Sequence, residues 1–425
     1  MTLNTNSDGT VPVTRTRDDA LHRPFHALPP FCPEMQLMLS CGGPALRERT
    51  QFGSLLEDEL DWELVSRLAT WHRLVPLLYW NLSHSGQEQV PDGVMESLKI
   101  LFSRSVERSL RFTSELLMIL GTFEDRGIKA VPYKGPVLAS RLYGNVALRL
   151  CSDLDILVRR SDVEKAREVL LDRGYEPWKA LEAANHRFQL ESRYSERFDR
   201  LDSTVELHWA FTNKDVAFPL SLEDFLPRLQ EYVIGGTRLA VFSPADLLLT
   251  LTVHGAKHFW NRLEWLCGVA ELLSMEEELD WDELLTRAKA ARSERKLLLG
   301  LALAHDLYGV SLPPAVVQRI REDSRIPQLA TQVTNFLFDG LRNTQGVESF
   351  GRLEHDLFHF MLGDHLRDRL RYLGYRMTTP SRPERWSTVS IRGRPLSIHA
   401  FTRPFTVMGK LIPALWKSVH VRRET

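Results

Sequence analysis

Cysteine is scarce in this chain. Only Cys32, Cys41, Cys151 and Cys267 occur in 425 residues. No two form a CxxC pair, so neither a disulfide-stapled scaffold nor a cysteine zinc site is expected. A reducing, cytoplasmic location is the expectation. Long apolar runs are missing as well. No stretch of 18 or more apolar residues occurs, and no transmembrane helix is expected. The opening residues, MTLNTNSDGTVPVTRTRDD, contain no apolar core of the kind an export signal carries. An excess of one charge is also absent: 54 Lys and Arg face 55 Asp and Glu, for a net charge of -1. That balance argues against a DNA-coating chain and against a highly charged disordered one. What is present is 43% hydrophobic and 26% charged residues, a globular composition, in a length that suits two to four domains.

The pattern changes several times along the chain. Residues 1–30 are polar and proline-rich and read as a disordered arm. Residues 31–115 read as a helical region. In LLEDELDWELVSRLATWHRLVPLLYWNL the apolar residues recur at three- and four-residue spacing. After Pro91-Asp92-Gly93, VMESLKILFSRSVERSLRFTSELLMILGTFEDRG reads as one long helix with Gly127 as its C-cap. The period then shortens. Over 116–243 the chain reads as a mixed sheet with a few helices. IKAVPY, LDILVR (154–159), RFQLES, STVELHW and RLAVF are strand-like, and Pro136 to Tyr143 is a short helix. Ser161 with Glu164 predicts a capping box for the helix SDVEKAREVLLDRGY. After Pro244 the strands stop, and 244–375 reads as a helical domain. The segment 376–425 is basic, with ten Lys and Arg against two acids.

Three groups of residues carry chemistry. Asp153 and Asp155 flank Leu154 at the start of a strand. Residues two apart project from one face, so the two carboxylates stand side by side while Leu154, Ile156 and Val158 point to the core. Adjacent carboxylates repel unless a cation neutralises them, and Mg²⁺ with oxygen ligands is a natural partner. An ordinary solvated turn gives the same pattern. Lys134-Gly135-Pro136 follows a strand and opens a helix. Gly135 allows close backbone approach, Pro136 suits the first helical position, and the helix N-terminus with Lys134 offers charge to an anion. Glu206 lies between the core-facing Val205 and Leu207, on one face with Thr204 and His208. A carboxylate there needs a partner, either an arginine or the ion that Asp153 and Asp155 would hold.

In order, these form a strand, a glycine turn into a helix, a strand bearing Asp-x-Asp, and a later strand with a third acid. That is the layout of the nucleotidyltransferase fold, whose chemistry is two-metal phosphoryl transfer. The stretch KGPVLASRLYGNVALRLCSDLDILVRRSDVEKAREVLLDRGY, then VELHWAF, then VHGAKHFWNRLEWLC, resembles the family described as uncharacterised nucleotidyltransferases. That family is related to the polymerase-β-like nucleotidyltransferases, and some members are encoded with lasso-peptide maturation genes. The resemblance spans about Met118 to Leu273 and rests on Lys134, Gly135, Tyr143, Arg149, Asp153, Asp155, Glu206, His208 and Trp209. It implies an α+β protein, a mixed sheet with helices, flanked by N-terminal and C-terminal helical regions. It further implies a Mg²⁺-dependent enzyme that moves an NMP from an NTP to an acceptor hydroxyl or phosphate. Asp153, Asp155 and Glu206 would be its catalytic acids and hold two metal ions. Lys134, Gly135, Arg149, Lys257 and His208 would bind the nucleotide, and Arg262 would be a further phosphate or acceptor contact. The acceptor is a small molecule, a peptide or a protein; DNA is not expected. Two departures stand out: Pro136 follows Gly135 where the superfamily has serine or glycine, and Gly268 stands where the family carries an aspartate.

Other features have plainer readings. His254 and His258 share a helix face four residues apart, but HGAKH lacks the glutamate of the zinc motif HExxH; helix packing is the expectation. Glu354, His355, His359 and His365 form a second histidine-rich stretch. Arg149 would bind phosphate or neutralise the acids. FTVMGKLIPALWKSVHVRR would be a core-packed helix with a charged exit, a contact for an acidic partner or RNA, or a membrane-surface contact with Trp416 at the interface. The alternative to an enzyme is a non-catalytic nucleotide-binding or antitoxin-like module; a helical scaffold with no ligand is a third reading.

Overall fold

The computed structural model describes residues 23–43, 53–56, 59–85, 87–178, 193–201, 203–213, 215–276, 278–339, 352–378, 388–391 and 394–397. The strand-like RFQLES and the segment FTVMGKLIPALWKSVHVRR lie outside them.

Four helices come first: α1 (Pro33–Cys41), α2 (Trp62–Trp71), α3 (Val75–Ser85) and α4 (Asp92–Asp125). The Asp61 carboxylate starts α2 by accepting from the Glu63 and Leu64 N–H groups. The periodic stretch after Pro91 is one 34-residue helix. It closes through Gly127, whose φ of +67° suits the residue after a helix end. Of the arm expected over 1–30, Phe25 and His26 are fixed in place. The Phe25 N–H and His26 Nδ1 both bind the Asp306 carboxylate, and His26 Nε2 lies 3.2 Å from the Thr334 hydroxyl.

The sheet follows: β1 (Ala130–Pro132), α5 (Gly135–Tyr143), β2 (Leu154–Val158), α6 (Val163–Asp172), β3 (Glu176–Pro177), β4 (Ser195–Arg200) and β5 (Ser203–His208). The strand order is β1-β2-β5-β4-β3. Only β2 and β5 run parallel, with Asp155 opposite Glu206 and Leu157 opposite His208. The expected capping box at Ser161 does not form. A 3₁₀ turn over Arg160–Asp162 delays α6 to Val163, and the Ser161 hydroxyl donates to the Asp162 carboxylate instead.

Every residue of β2 is buried. Its two faces meet different cores. Leu154, Ile156 and Val158 pack with Val205 and Leu207 against Phe112, Leu116, Ile119 and Phe123 of α4 and Val163, Ala166 and Leu170 of α6. Leu157 faces the helical body. Each such side chain contributes about 1.5–3 kcal/mol when buried. Asp155 shares the Leu157 face by strand alternation, so the fold places a carboxylate between the sheet and the helices.

A hairpin of β6 (Gln230–Ile234) and β7 (Thr237–Val241) comes next. Gly235 and Gly236 turn it with φ of +57° and +77°, the positive pair that a two-residue hairpin turn needs. The helices then run α7 (Pro244–Lys257), α8 (Leu263–Met275), α9 (Trp281–Ala290), α10 (Glu294–Tyr308), α11 (Pro314–Glu322), α12 (Ile326–Asp339), α13 (Arg352–Leu362) and α14 (Leu366–Thr378). Ser243 caps α7 and Pro244 occupies its first turn. Contrary to expectation, strands do recur after Pro244: β8 (Thr388–Ile391) pairs with β9 (Arg394–Ser397). Among the described residues no helix is long and apolar enough to cross a membrane.

Candidate active site

The site is built where β1, β2 and β5 meet the start of α5. Gly135 adopts φ +60°, and a Cβ there would meet Cys151 Sγ at 3.3 Å and the Asp153 carbonyl at 3.4 Å. The glycine therefore serves both a left-handed turn and a close approach to the Asp-x-Asp loop. The turn aims Lys134 inward. Its ammonium donates to Asp155 Oδ1 at 2.7 Å and lies 4.9 Å from the centre of the Tyr133 ring.

Asp155 is 5% exposed and takes a second contact on the same oxygen, His208 Nε2 at 2.9 Å. The parallel register brings Glu206 alongside. Its Oε2 lies 3.5 Å from His208 Nε2, and its Oε1 accepts from the Ser195 hydroxyl at 2.6 Å. Burial pushes the Asp155 carboxyl up, but Lys134 and His208 outweigh it and the carboxyl is held below its usual range. Burial likewise opposes ionisation of Glu206, and His208 with Ser195 carries it the other way, far down. Burial lowers His208, while Glu206 and Asp155 raise it above the ordinary histidine value. The result is a buried cluster of two carboxylates and two cations.

Asp153 sits one residue before β2. Its carboxylate accepts from the Ser152 hydroxyl at 3.1 Å. Burial and the neighbouring Asp155 raise its affinity for a proton. Among the described residues the one group of three metal-capable side chains whose ligand atoms converge, within 4.8 Å of one another, is Asp155, Glu206 and His208. The two ionised carboxylates suit a hard divalent cation, which would replace the positive charge now supplied by Lys134. His208 suits a supporting role better than a ligand's. Its Nδ1 is buried without a hydrogen-bond partner among the described residues, and a metal-bound imidazole ordinarily donates its other N–H.

The other expected residues divide. Lys257 lies on the same side of the sheet. Its Nζ donates to the Tyr194 hydroxyl at 2.8 Å, and the Tyr194 ring lies 6.0 Å from the His208 ring. Burial, reinforced by Lys134, lowers the Lys257 ammonium to about 8. Arg149 is 9% exposed and pairs with Glu264, Nε to Oε1 3.6 Å, rather than with the Asp-x-Asp acids. Arg262 is engaged elsewhere: it donates to the Trp71 carbonyl at 3.0 Å and covers the Trp71 ring. Tyr143 is a packing residue on the helical core. Trp209 is 4% exposed and donates from its indole to the Arg193 carbonyl. Gly268 lies buried on α8, where a Cβ would touch Leu142 of α5 at 3.6 Å. The nearest acid along that helix toward the site is Glu264, one turn earlier. On α13, Asp356 binds Arg376 and Tyr372, and the His355 ring lies tilted against His359, with centres 4.4 Å apart.

Sequence reasoning missed Tyr194, Ser195 and Glu264. Tyr194 and Ser195 lie in no motif, and Glu264 sits unremarked inside the stretch VHGAKHFWNRLEWLC. Tyr194 and Lys257 are 63 positions apart; the pairing of β4 with β5 sets Tyr194 beside His208, and the packing of α7 brings Lys257 to it. His254 and His258 do share a helix face, but they pack on Trp265, with ring centres 5.2 and 5.3 Å from the indole.

The turn after α7 sets these rings. Phe259 and Trp260 both adopt positive φ, +60° and +51°, which costs about 1–2 kcal/mol per residue. Burial offsets it. Trp260 is fully buried in a slot that only glycine leaves open, since a Cβ at Gly255 would meet its ring at 2.3 Å and one at Gly300 at 2.9 Å.

No curated protein matches this chain. Among solved structures, the solution structure of the antibiotic-resistance factor ANT(2'')-Ia is similar at 14% identity, over 52% of this chain and 96% of that one, with a TM-score of 0.26; a likeness that loose carries no argument. The family comparison is firmer. A family described as "Uncharacterised nucleotidyltransferase" matches residues 58–309, more than half of the chain and beyond the 118–273 on which the sequence resemblance rested. The chain is an enzyme that belongs to this nucleotidyltransferase family.

Proposed function

We propose that the chain transfers a nucleoside monophosphate from an NTP to an acceptor hydroxyl or phosphate, releasing pyrophosphate. One observation carries the reading: parallel pairing of β2 and β5 sets Asp155 beside Glu206, with Lys134 of the glycine turn directly on Asp155.

Asp155 and Glu206, with Asp153 at the mouth of β2, would hold divalent ions, and Mg²⁺ is the species that carboxylate oxygens favour. Two such ions would supply Lewis-acid charge to the phosphoryl oxygens and to the acceptor oxygen. The protein's own groups do the rest. Lys134 keeps Asp155 ionised, and with the free N–H groups at the start of α5 it gives the triphosphate a cationic end. His208 and Ser195 fix the carboxylates by donating to one oxygen of each. Lys257 offers a second ammonium on the same side. The acceptor would be a small molecule, a peptide or a protein group; a peptide or natural-product precursor accords with the family resemblance.

The test follows the α-phosphate. With each α-³²P-labelled NTP, Mg²⁺ and cell extract, the wild-type protein is expected to label an acceptor and release pyrophosphate. Glu206→Gln is expected to reduce both by about 10³-fold or more, the several kcal/mol that metal-assisted charge stabilisation supplies. Undiminished labelling by Glu206→Gln would overturn the reading.

A further inference from the structure

The rings of His254, His258 and Trp265 form a closed triangle beside the acids. Centroid separations are 4.7 Å between the imidazoles, 5.2 Å from His254 to Trp265 and 5.3 Å from His258 to Trp265. None of the three is fully covered; each keeps part of its surface accessible, as does Lys257 between them in sequence. The triangle connects to the charged cluster through Lys257. Lys257 adjoins His258, its Nζ reaches the Tyr194 hydroxyl, and the Tyr194 ring lies against His208.

We propose that His254, His258 and Trp265 are the platform on which the nucleobase of the donor NTP stacks; this rests on the nucleotidyl-transfer reading of the neighbouring acids. A nucleotide has a charged end and a planar end joined by one sugar. The acids, Lys134 and Lys257 answer the charged end, and the ring triangle joins them through Lys257 and the partly exposed Tyr194 ring. The platform is also uncharged. Burial is the largest cause, with neighbouring lysines adding to it, and His258 is lowered to about 3 and His254 well below the ordinary value. Neutral imidazole and indole faces stack on any base without repelling the lysine-bound phosphates' counter-charges. Stacking of this kind tolerates different bases, because each has a π-face. The Phe259-Trp260 turn directly follows His258 and leads into the helix that carries Trp265.

Calorimetric titration separates this from the underlying reading. Wild type, Trp265→Ala, Trp265→Phe and His258→Ala are titrated with ATP, GTP, CTP and UTP, and with inorganic tripolyphosphate, all with Mg²⁺. Trp265→Ala is expected to weaken the bound NTP about tenfold or more while leaving tripolyphosphate within about twofold, since one base stack is at stake. Trp265→Phe keeps a ring face and is expected to restore most of the loss. His258→Ala removes a smaller ring and serves where Trp265→Ala unfolds. Equal weakening of NTP and tripolyphosphate, or no weakening of NTP in either alanine variant, would overturn the platform while leaving the acids as the transfer site. Failure of wild type to bind NTP and tripolyphosphate alike would overturn both.

Discussion

Asp155 carries two cations on one oxygen, and its neighbours depend on that arrangement. Removing Lys134 would leave Asp155 with His208 as its one remaining direct cationic partner, and Lys257 as the other nearby ammonium. Lys134→Met is therefore expected to cost about 3–5 kcal/mol, the penalty for stranding a buried charge. Asp155→Asn is expected to cost less, because Glu206 remains near the ammonium. The double variant should lose less than the sum of the two. Urea unfolding of the four proteins checks this; strict additivity would mean that the two side chains do not interact. Gly135→Ala is a second residue-scale test. It forces alanine into a left-handed turn, at about 1–2 kcal/mol, and presses on Cys151 and the Asp153 carbonyl. Activity should fall more steeply than stability. The placement of Asp155 and Glu206 on their strands and the glycine turn were legible because strand alternation and the demands of a tight turn are local rules; Asp153 precedes the strand and lies outside the converging group of Asp155, Glu206 and His208. Tyr194 and Glu264 were not legible, because their roles come from strand pairing and helix packing across long separations.

Helices set the second scale. The Trp260 slot requires glycine at 255 and 300, so Gly255→Ala and Gly300→Ala should each destabilise by about 1–3 kcal/mol, as overpacking does, and loosen His258 and Trp265. Gly268→Ala should do the opposite. Its Cβ meets only Leu142, at ordinary distance, and helical alanine gains about 0.5–1 kcal/mol over glycine. Thermal unfolding of the three variants separates the two behaviours. At α13 and α14, Asp356 joins the helices by accepting from Tyr372 and binding Arg376. Burial opposes its ionisation, yet His355, Arg376 and Tyr372 lower it to about 2. The folded value lies below the unfolded one of about 3.9, so the stabilisation is complete above that pH and fades as pH falls through about 2. Asp356→Asn should thus lose on the order of 1 kcal/mol at pH 6, after solvent screening, and almost nothing near pH 2; an equal loss at both would contradict the charge argument. Helix periodicity made α4 legible end to end. The start of α6 was misread because an intervening 3₁₀ turn uses Ser161 differently, and the hairpin β8–β9 was missed because each strand has only four residues, too short a window for a period to stand out in a segment read from its charge.

At the scale of the whole molecule, one apolar core runs from α1–α3 through α7–α13 and reaches Val131, Tyr133 and Leu157 of the sheet. A second lies on the other face, under α4 and α6. The sheet is thus covered twice, and only the second layer is local in sequence. We propose that the segment 116–243, read from sequence as the catalytic domain, depends on its flanks. Expressed alone it should expose the face bearing Leu157 and aggregate; a cooperative unfolding transition from that fragment would show that it stands by itself. The central claim concerns the acids between these layers, and nucleotide binding tests it most directly. Thermal unfolding with each NTP, with and without Mg²⁺, compares wild type with Asp155→Asn. A ligand at 100 times its Kd adds about 2.7 kcal/mol, a rise of a few degrees. The account predicts a Mg²⁺-dependent rise with NTP in wild type that is lost in Asp155→Asn. A rise that survives the substitution, or none with any NTP, would contradict it.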